Sequence, residues 1–374
     1  MTKKSLLGLA LILILIIPTT SLNAHAATVP DVPADGKTFQ FTGAGSSFAF
    51  PIVDKWRVEY NKIYPSVSLN YQSIGSGAGI NLFTKKTVDF GATDAPLTKD
   101  ESKNAPGTLT IPETLGAVVV VYKLPEFPNS GLKLTAKVIS DIYMGKISTW
   151  NDPAIQKLNP GVKFSKNKIV LVHRSDGSGT TYTFTDYLSG ANHNWAGSVG
   201  KGKSVPWPAG VGASGNAGVA ATVNKVPWSM GYVELAYAIQ NKMPYAFIQN
   251  ADRTAFVEPT LNSTKVAANA LSSKLPATDA DWSNVSIVNA PGKNAYPIST
   301  FSYLLVYKDL DKLKNMDRDK AKAEIHLIYW MITDGQKYAS KLTYVPLPDA
   351  VQEVDKQGLA KIKFQGEQLF AYTQ

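Results

Sequence analysis

The sequence predicts an α/β protein built as two units, and three observations lead to that prediction. A strand, a Gly/Ser-rich turn and a helix follow one another three times, with the turns at Gly45-Ser46-Ser47, Gly75-Ser76-Gly77 and Gly177-Ser178-Gly179-Thr180. This succession is typical of parallel α/β sheets. Residues 115–122 form an unbroken apolar run, as expected for a strand buried on both faces. The length of 374 residues is sufficient for two domains.

The N-terminus is predicted to be an export signal. Lys3 and Lys4 precede an apolar run from Leu6 to Ile17, and Ala24-His25-Ala26 fits the small-residue cleavage pattern. The run is shorter than a bilayer span requires. We therefore expect residues 1–26 to be a signal peptide cleaved after Ala26, with an uncleaved anchor as the alternative. Residues 27–37 are expected to be a loose leader, and the mature chain to be periplasmic or extracellular.

Composition excludes several classes of protein. Cysteine is absent, so the chain has no disulfide framework, no thiol nucleophile and no cysteine to carry a lipid anchor. The formal net charge is +9 and becomes +7 without Lys3 and Lys4, since residues 1–26 contain no acid. A net positive charge attracts anions over a distance, although ordinary solvent-exposed lysines are enough to explain the charge. No basic stripe interleaved with aromatic residues occurs, so nucleic acid is not a predicted partner.

The first elements follow from local pattern. Residues 39–42 alternate as a strand, and a helix is predicted from apolar residues at helical spacing, namely Phe48, Ile52, Trp56, Tyr60 and Ile63. We expect Ser47 to cap this helix, Pro51 to lie in its first turn and Pro65 to end it. A strand over residues 67–71 and a helix from Ser76 or Gly77 come next.

The later elements are predicted in the same way. Residues 88–93 form a strand that ends in a turn at Asp94, and residues 134–160 form two short helices with a break at Gly145. A strand at 168–174 leads into a helix, and residues 219–240 give a helix, a turn and then a strand or helix. Residues 191–218 are expected to be irregular and residues 251–292 polar and variable. A strand near 295–309 precedes an amphipathic helix whose buried side is Ile325, Ile328, Tyr329, Met331 and Ile332.

The three Gly/Ser turns favour an oxyanion site, because a helix start presents free N–H groups and glycine lets a ligand approach the backbone. Each turn alone is equally consistent with an ordinary helix cap. Arg174 offers a planar fork suited to an oxyanion, and Asp176 is spaced to orient it, unless the two form only a surface ion pair. Asp94 either caps a turn or accepts a hydrogen bond from a protonated oxyanion such as phosphate.

Catalytic and nucleotide sites are not supported. Residues 197–204 match the P-loop pattern, but no strand is predicted before them and two prolines follow. No Gly-x-Ser-x-Gly elbow and no His/Asp metal cluster occur. His173 and Arg174 are neighbours on a strand and should face opposite sides, and His326 lies on a helix, so the serines have no evident base. We expect neither a cofactor nor a metal.

Six segments taken together carry a resemblance to a known family. They are GAGSSFAFP (43–51), NYQSIGSGAG (70–79), VDFGATDAP (88–96), SDIYMGKISTWNDPAIQKLNPG (140–161), HRSDGSGTTYTFTDYLS (173–189) and GYVELAYA (231–238). In this order they resemble the phosphate-binding proteins of ABC phosphate uptake transporters, which belong to the periplasmic binding proteins. The resemblance runs from about Thr42 to the C-terminus and is dense up to about residue 240.

The resemblance implies a site as well as a fold. The phosphate ligands it implies are Ser46, Ser47, Phe48, Ser76, Asp94, Arg174, Ser178, Gly179 and Thr180, with Asp176 holding the arginine and Asp94 accepting the phosphate proton. Many family members have threonine at the position of Ser47, and either residue supplies a hydroxyl. The implied partners are inorganic phosphate and the membrane permease of an ABC importer, and the chain is expected to be a monomer. The alternatives are another oxyanion, such as sulfate or molybdate, or a secreted phosphatase-like hydrolase.

The implied fold has two α/β domains that close on the ligand about a hinge. We expect the first unit to comprise residues 38–120 and 299–374 and the second unit residues 121–298. The chain is expected to cross between them near Val119–Tyr122 and near Ala295–Thr300, because residues 47–94 and 174–180 must face each other across a cleft.

Overall fold

The computed structural model describes residues 29–33, 36–270 and 274–372. The predicted signal peptide lies outside the described residues. The strands are β1 (Phe39–Gly45), β2 (Val67–Gln72), β3 (Phe90–Thr93), β4 (Thr108–Lys123), β5 (Lys133–Leu134), β6 (Val170–Arg174), β7 (Val211–Ala213), β8 (Ser229–Glu234), β9 (Phe247–Gln249), β10 (Phe256–Val257), β11 (Ser299–Tyr307), β12 (Lys363–Phe364) and β13 (Glu367–Gln368).

The helices alternate with these strands. They are α1 (Phe50–Ile63), α2 (Ser76–Thr84), α3 (Lys99–Asn104), α4 (Ala136–Tyr143), α5 (Pro153–Leu158), α6 (Gly179–Ala191), α7 (His193–Ser198), α8 (Gly215–Lys225), α9 (Leu235–Gln240), α10 (Leu261–Asn269), α11 (Arg318–Ile332) and α12 (Asp349–Leu359). Among the helices of the described residues, none has the length and apolar character that crossing a bilayer requires.

One mixed sheet organises the molecule. Within the described residues, eight strands pair in the order β2-β1-β3-β11-β4-β8-β6-β7. β1 is parallel to β2 and β3, and β6 is parallel to β7 and β8. β4 joins these groups, because its residues 108–117 pair antiparallel with β11 and its residues 118–123 pair antiparallel with β8. The α/β class is confirmed, and the predicted parallel groups are connected through two antiparallel strands.

Helix α1 shows how the predicted pattern folds. Phe48, Ile52, Trp56 and Tyr60 are buried as expected, whereas Ile63 is half exposed at the end of the helix. The prediction that Ser47 caps α1 is wrong. The N-cap residue is Ala49, whose N–H donates to Ser46 Oγ at 2.9 Å, and the hydroxyl of Ser47 is bound by Asn216 from α8 instead.

Two segments contain more structure than their composition indicated. Residues 191–218, expected to be irregular, contain α7, β7 and the first turn of α8, and residues 251–292 contain β10 and α10. Short elements rich in glycine and polar residues have weak periodicity, because tertiary packing rather than local propensity stabilises them. The buried side of α11 is as predicted at Ile325, Ile328, Met331 and Ile332, while Tyr329 is only partly buried.

Candidate functional site

The three Gly/Ser turns meet at one place beyond the ends of β1, β2 and β6, where Gly75 N donates to Gly45 O at 2.8 Å. Gly77 N donates to Gly177 O at 2.9 Å, and Gly179 N donates to Ser76 Oγ at 3.1 Å. The starts of α2 and α6 therefore face each other over a short distance. Ligand sites in α/β folds form at this position, beyond the carboxyl ends of parallel strands.

Arg174 and Asp176 form a fork at this point. Arg174 Nε donates to Asp176 Oδ1 at 2.7 Å, its Nη2 binds Asp176 Oδ2, and its Nη1 donates to Thr180 Oγ1 at 3.3 Å. The Arg174 side chain is 1% exposed, which rules out the alternative of a surface ion pair. Burial raises the pKa of Asp176, but hydrogen bonds from Arg174, the Arg174 charge and the Gly215 N–H outweigh it and lower the pKa.

Asp94 is a buried acceptor rather than a surface turn cap. Its Oδ1 accepts from the hydroxyls of Ser46 and Ser302, the latter at 2.9 Å, and its N–H donates to Ser76 Oγ at 3.3 Å. Burial raises the pKa of Asp94 to about 6, against the lowering effect of these serines and of the Arg174 charge. Its Oδ2 faces the start of α6, since a Cβ built on Gly179 would lie 2.6 Å from it.

The start of α6 holds the remaining predicted residues of the second unit. Ser178 is the N-cap, and its Oγ accepts from Thr181 N at 3.0 Å, so this hydroxyl stabilises the helix start. Thr180 Oγ1 accepts from Arg174 and from Asn216 Nδ2, the latter at 3.0 Å. A free helix start beside an arginine fork is a favourable place for an anion.

Ser47 and Phe48 are anchored differently from one another. Ser47 Oγ accepts from Asn216 N at 3.1 Å and from Asn216 Nδ2 at 3.0 Å, and Ser47 O accepts from the Tyr237 hydroxyl at 2.7 Å. The Phe48 ring packs edge-on against Tyr344, whose hydroxyl donates to Phe48 O at 2.6 Å. Phe48 can therefore serve a ligand only through its backbone.

Sequence reasoning missed residues that complete the site. Asn216 links Ser47, Thr180 and the backbone N–H of Glu234. Its signal was present, because Ser214-Gly215-Asn216 repeats the Gly/Ser turn between β7 and α8, and Gly215 has a φ of +66°. Glu113 and Ser302, which lie behind Asp94, had no such signal, since each lies inside a strand, β4 or β11, away from any Gly/Ser turn.

Neither the P-loop match nor His173 is placed as a nucleotide-binding or catalytic site would require. The P-loop match begins in the last turn of α7, and no helix follows it until Gly215. The Lys203 side chain binds Glu101 at 2.7 Å, while the Lys203 carbonyl accepts from Ser178 N at 2.8 Å. His173 stacks on Trp207, so it faces away from Arg174 as expected. Over the described ranges, no group of three or more His, Asp or Glu side chains is placed to hold a metal.

Comparisons with known proteins identify relatives of this chain. The profile of the PBP superfamily domain matches residues 28–334. The chain is 41% identical over 343 residues to the phosphate-binding protein PstS of Xylella fastidiosa strain Temecula1, with 90% of each chain covered. It is 37% identical over 377 residues to the phosphate-binding protein PstS of Methanocaldococcus jannaschii, with 96% of each covered.

Solved structures share the fold. A phosphate binding protein from Stenotrophomonas maltophilia superposes with a TM-score of 0.61 at 15% identity, over 84% of this chain and 92% of that one. An ABC-type phosphate transport receptor from Vibrio cholerae superposes with a TM-score of 0.52 at 20% identity, over 82% and 100%.

Proposed function

Since this chain belongs to the PBP superfamily and to its PstS phosphate-binding family, we propose that it binds inorganic phosphate outside the cytoplasm and delivers it to the permease of an ABC importer. The observation that carries the proposal is the position of Asp94. A buried carboxylate stands among anion-binding donors, where it would repel any oxyanion that has no proton of its own.

The chemistry of the site matches phosphate. The starts of α2 and α6 and the Arg174 fork supply donors, and the Asp176 carboxylate offsets part of the Arg174 charge. Phosphate keeps a proton near neutral pH, and Asp94 Oδ2 is available to accept it. Sulfate and molybdate have no proton to donate there, so the arrangement favours phosphate over the alternative oxyanions.

We retain the proposed ligand set of Ser46, Ser47, Phe48, Ser76, Asp94, Arg174, Ser178, Gly179 and Thr180. Ser46 contributes by binding Asp94 and Ser178 by capping α6, because their hydroxyls are already engaged there. Phe48 contributes its backbone N–H group, and Gly179 contributes its N–H in exchange for the hydrogen bond that it donates to Ser76 Oγ at 3.1 Å. Asn216 joins the set as the residue that connects Ser47 to Thr180.

Capture proceeds by closure of two units, residues 38–120 with 299–374 and residues 121–298, about the two predicted crossings. The crossings are neighbours, since Val118 N donates to Ile298 O at 2.8 Å, which supports a hinge at this point. The Gly77–Gly177, Ser76–Gly179 and Ser47–Asn216 contacts connect the two units and correspond to the closed form. Hinge closure of this kind buries a ligand between rigid units.

The function we propose is binding without catalysis. The Ser46 hydroxyl donates to Asp94, the group that we propose accepts the ligand's proton, and the Ser47 and Ser178 hydroxyls accept from amide or backbone N–H groups. His173 is turned toward Trp207, so among the described residues no histidine is placed to activate a site serine. Turnover of a phosphate ester by the purified protein would instead support the hydrolase alternative. We also propose export through residues 1–26.

The test is calorimetric titration of wild type and Asp94→Asn with phosphate and with sulfate. We expect wild type to prefer phosphate by about 10⁴-fold and Asp94→Asn to lose most of this preference, because the amide can donate to a proton-free anion. Asp100→Asn, a change in the exposed helix α3, is the matched control and should behave as wild type. Wild-type selectivity in Asp94→Asn would refute the role of Asp94 as proton acceptor.

A further inference from the structure

A second buried carboxyl group lies behind Asp94. Ser302 Oγ is 2.9 Å from Asp94 Oδ1 and 2.8 Å from Glu113 Oε1, and all three residues are buried. Glu113 Oε2 has no hydrogen-bond partner among the described residues. The three side chains thus form a chain that runs from the ligand site into the sheet.

The backbone is shaped to direct Glu113 into this chain. Ser302 of β11 pairs with Thr114 and Tyr303 pairs with Pro112, so Glu113 is the extra residue of a β-bulge in β4. Its carbonyl accepts from Gln336 Nε2 at 2.9 Å rather than from β11. Bulges of this type re-aim a side chain and often occur next to functional sites, and a neighbouring proline is compatible with one.

The hydrogen atoms in this chain can be counted. The Ser302 hydroxyl has one hydrogen but contacts two carboxyl oxygens, so both contacts are hydrogen bonds only if one carboxyl group carries a proton. Asp94 has the better environment for a negative charge, because it accepts from Ser46 and lies near Arg174. Glu113 has one contact and no nearby cation among its described neighbours. The proton therefore belongs to Glu113.

We propose that Glu113 is a protonated positioning residue, which donates to Ser302 and so holds Asp94 as an ionised acceptor for the proton of the ligand. This inference rests on the proposed function and extends it to the pH range of binding. If Glu113 ionises, its proton leaves for solvent, and Ser302 then has one hydrogen for two carboxylates. The second negative charge behind Asp94 repels an anionic ligand, so phosphate should bind more weakly.

The surroundings of Glu113 are consistent with this role. Two titratable groups face it among the described residues, Asp94 from the end of β3 and Tyr71 from β2, while Ser302 and Gln336 are its neutral polar neighbours. Burial, followed by the Asp94 charge, raises the pKa of Glu113 to about 8, against the Ser302 hydrogen bond. Phosphate binding should therefore hold through neutral pH and weaken above it.

The experiment compares wild type with Glu113→Gln, which keeps a donor toward Ser302 and cannot ionise. Infrared difference spectra at neutral pH should show a protonated carboxyl band in wild type that is absent from the variant. The phosphate Kd of wild type should rise above the pKa of Glu113 by up to about tenfold per pH unit, since binding then requires the uptake of one proton. In Glu113→Gln this rise should be absent.

Each outcome decides the question. Absence of the carboxyl band in wild type means an ionised Glu113 and overturns the proposal, and so does an identical rise of the phosphate Kd with pH in both proteins. Failure of wild type to bind phosphate overturns the proposed function instead, and the infrared band then still reports whether Glu113 is protonated. A second variant, Ser302→Ala, removes the link between the two carboxyl groups and should raise the phosphate Kd at neutral pH without removing the carboxyl band.

Discussion

Gly179→Ala should weaken phosphate binding by blocking closure without removing any polar group. A Cβ on Gly179 would lie 2.6 Å from Asp94 Cβ and Oδ2 and 2.7 Å from Asp94 N, whereas ordinary contacts are at 3.4–4 Å. The start of α6 must then move away from Asp94 by about 1 Å. Overpacking of this size costs about 1–3 kcal/mol, which corresponds to an increase in Kd of about 5- to 150-fold.

The matched control is Gly190→Ala in the same helix, where an added Cβ has nothing within 4 Å. It should bind phosphate as wild type does and gain up to about 1 kcal/mol of helix stability. Titration calorimetry measures Kd for both variants. Thermal unfolding without phosphate shows whether Gly179→Ala still folds. Equal Kd values for the two variants, within twofold, would refute the claim that the Gly179–Asp94 contact limits closure.

Three further predictions concern the same structure. The Lys203–Glu101 pair, whose side chains are 14% and 25% exposed, joins the two units. Removing either partner should therefore raise the phosphate Kd by about two- to fivefold, and the double variant should lose no more than the single ones. Lys201→Ala, which removes the pair with Asp186 within the second unit, is the control, and additive losses in the double variant would contradict the Lys203–Glu101 pairing. Arg174→Lys keeps the positive charge but loses the two-point contact with Asp176, so it should raise the phosphate Kd at least about tenfold, and Arg174→Ala should raise it further. An unchanged Kd for Arg174→Lys by calorimetry would contradict the role of this contact. The pKa of Glu113 is raised from 4.5 to about 8 and that of Asp94 from 3.8 to about 6, so the native state binds these protons more tightly than the unfolded chain and its stability should fall as pH rises. Urea unfolding without phosphate should show Glu113→Gln gaining on the order of 4 kcal/mol of stability over wild type between pH 5 and pH 9. Parallel pH profiles of the two proteins would contradict a protonated Glu113.

The sequence predicted what is encoded locally. The Gly/Ser turns before α2 and α6 have short-range signatures, since glycine and a hydroxyl residue at a helix start are recognisable without knowledge of the fold. Their convergence is what the oxyanion interpretation requires, and in the structure Arg174 binds Asp176 and lies near Asp94. Ser47 was misassigned as a cap because α1 begins only at Phe50, with Ala49 as its N-cap, and the Ser47 hydroxyl is bound by Asn216 from the distant helix α8.

The remainder depends on contacts between distant parts of the chain. Ser302 is 208 residues from Asp94, and Glu113 is 189 residues from Ser302. No periodicity marks an isolated acid in an apolar strand as part of a site, and the bulge that aims Glu113 exists only because β4 pairs with β11. Asn216 could have been predicted, because its turn repeats the motif that identified the other sites. The short strand before it was missed because glycines and prolines surround it.

The strand order has a consequence for how such a chain can be made. β11 lies between β3 and β4, yet it begins at residue 299, long after its two neighbours along the chain. A polypeptide that emerges N-terminus first therefore presents β3 and β4 with unpaired edges until more than 170 further residues have followed. Residues 121–298 contain their own strands and need only the end of β4 from the rest of the chain, so they can fold before β11 arrives. Unpaired edges favour aggregation, so the interval before β11 arrives is the stage at which the chain is most exposed to it.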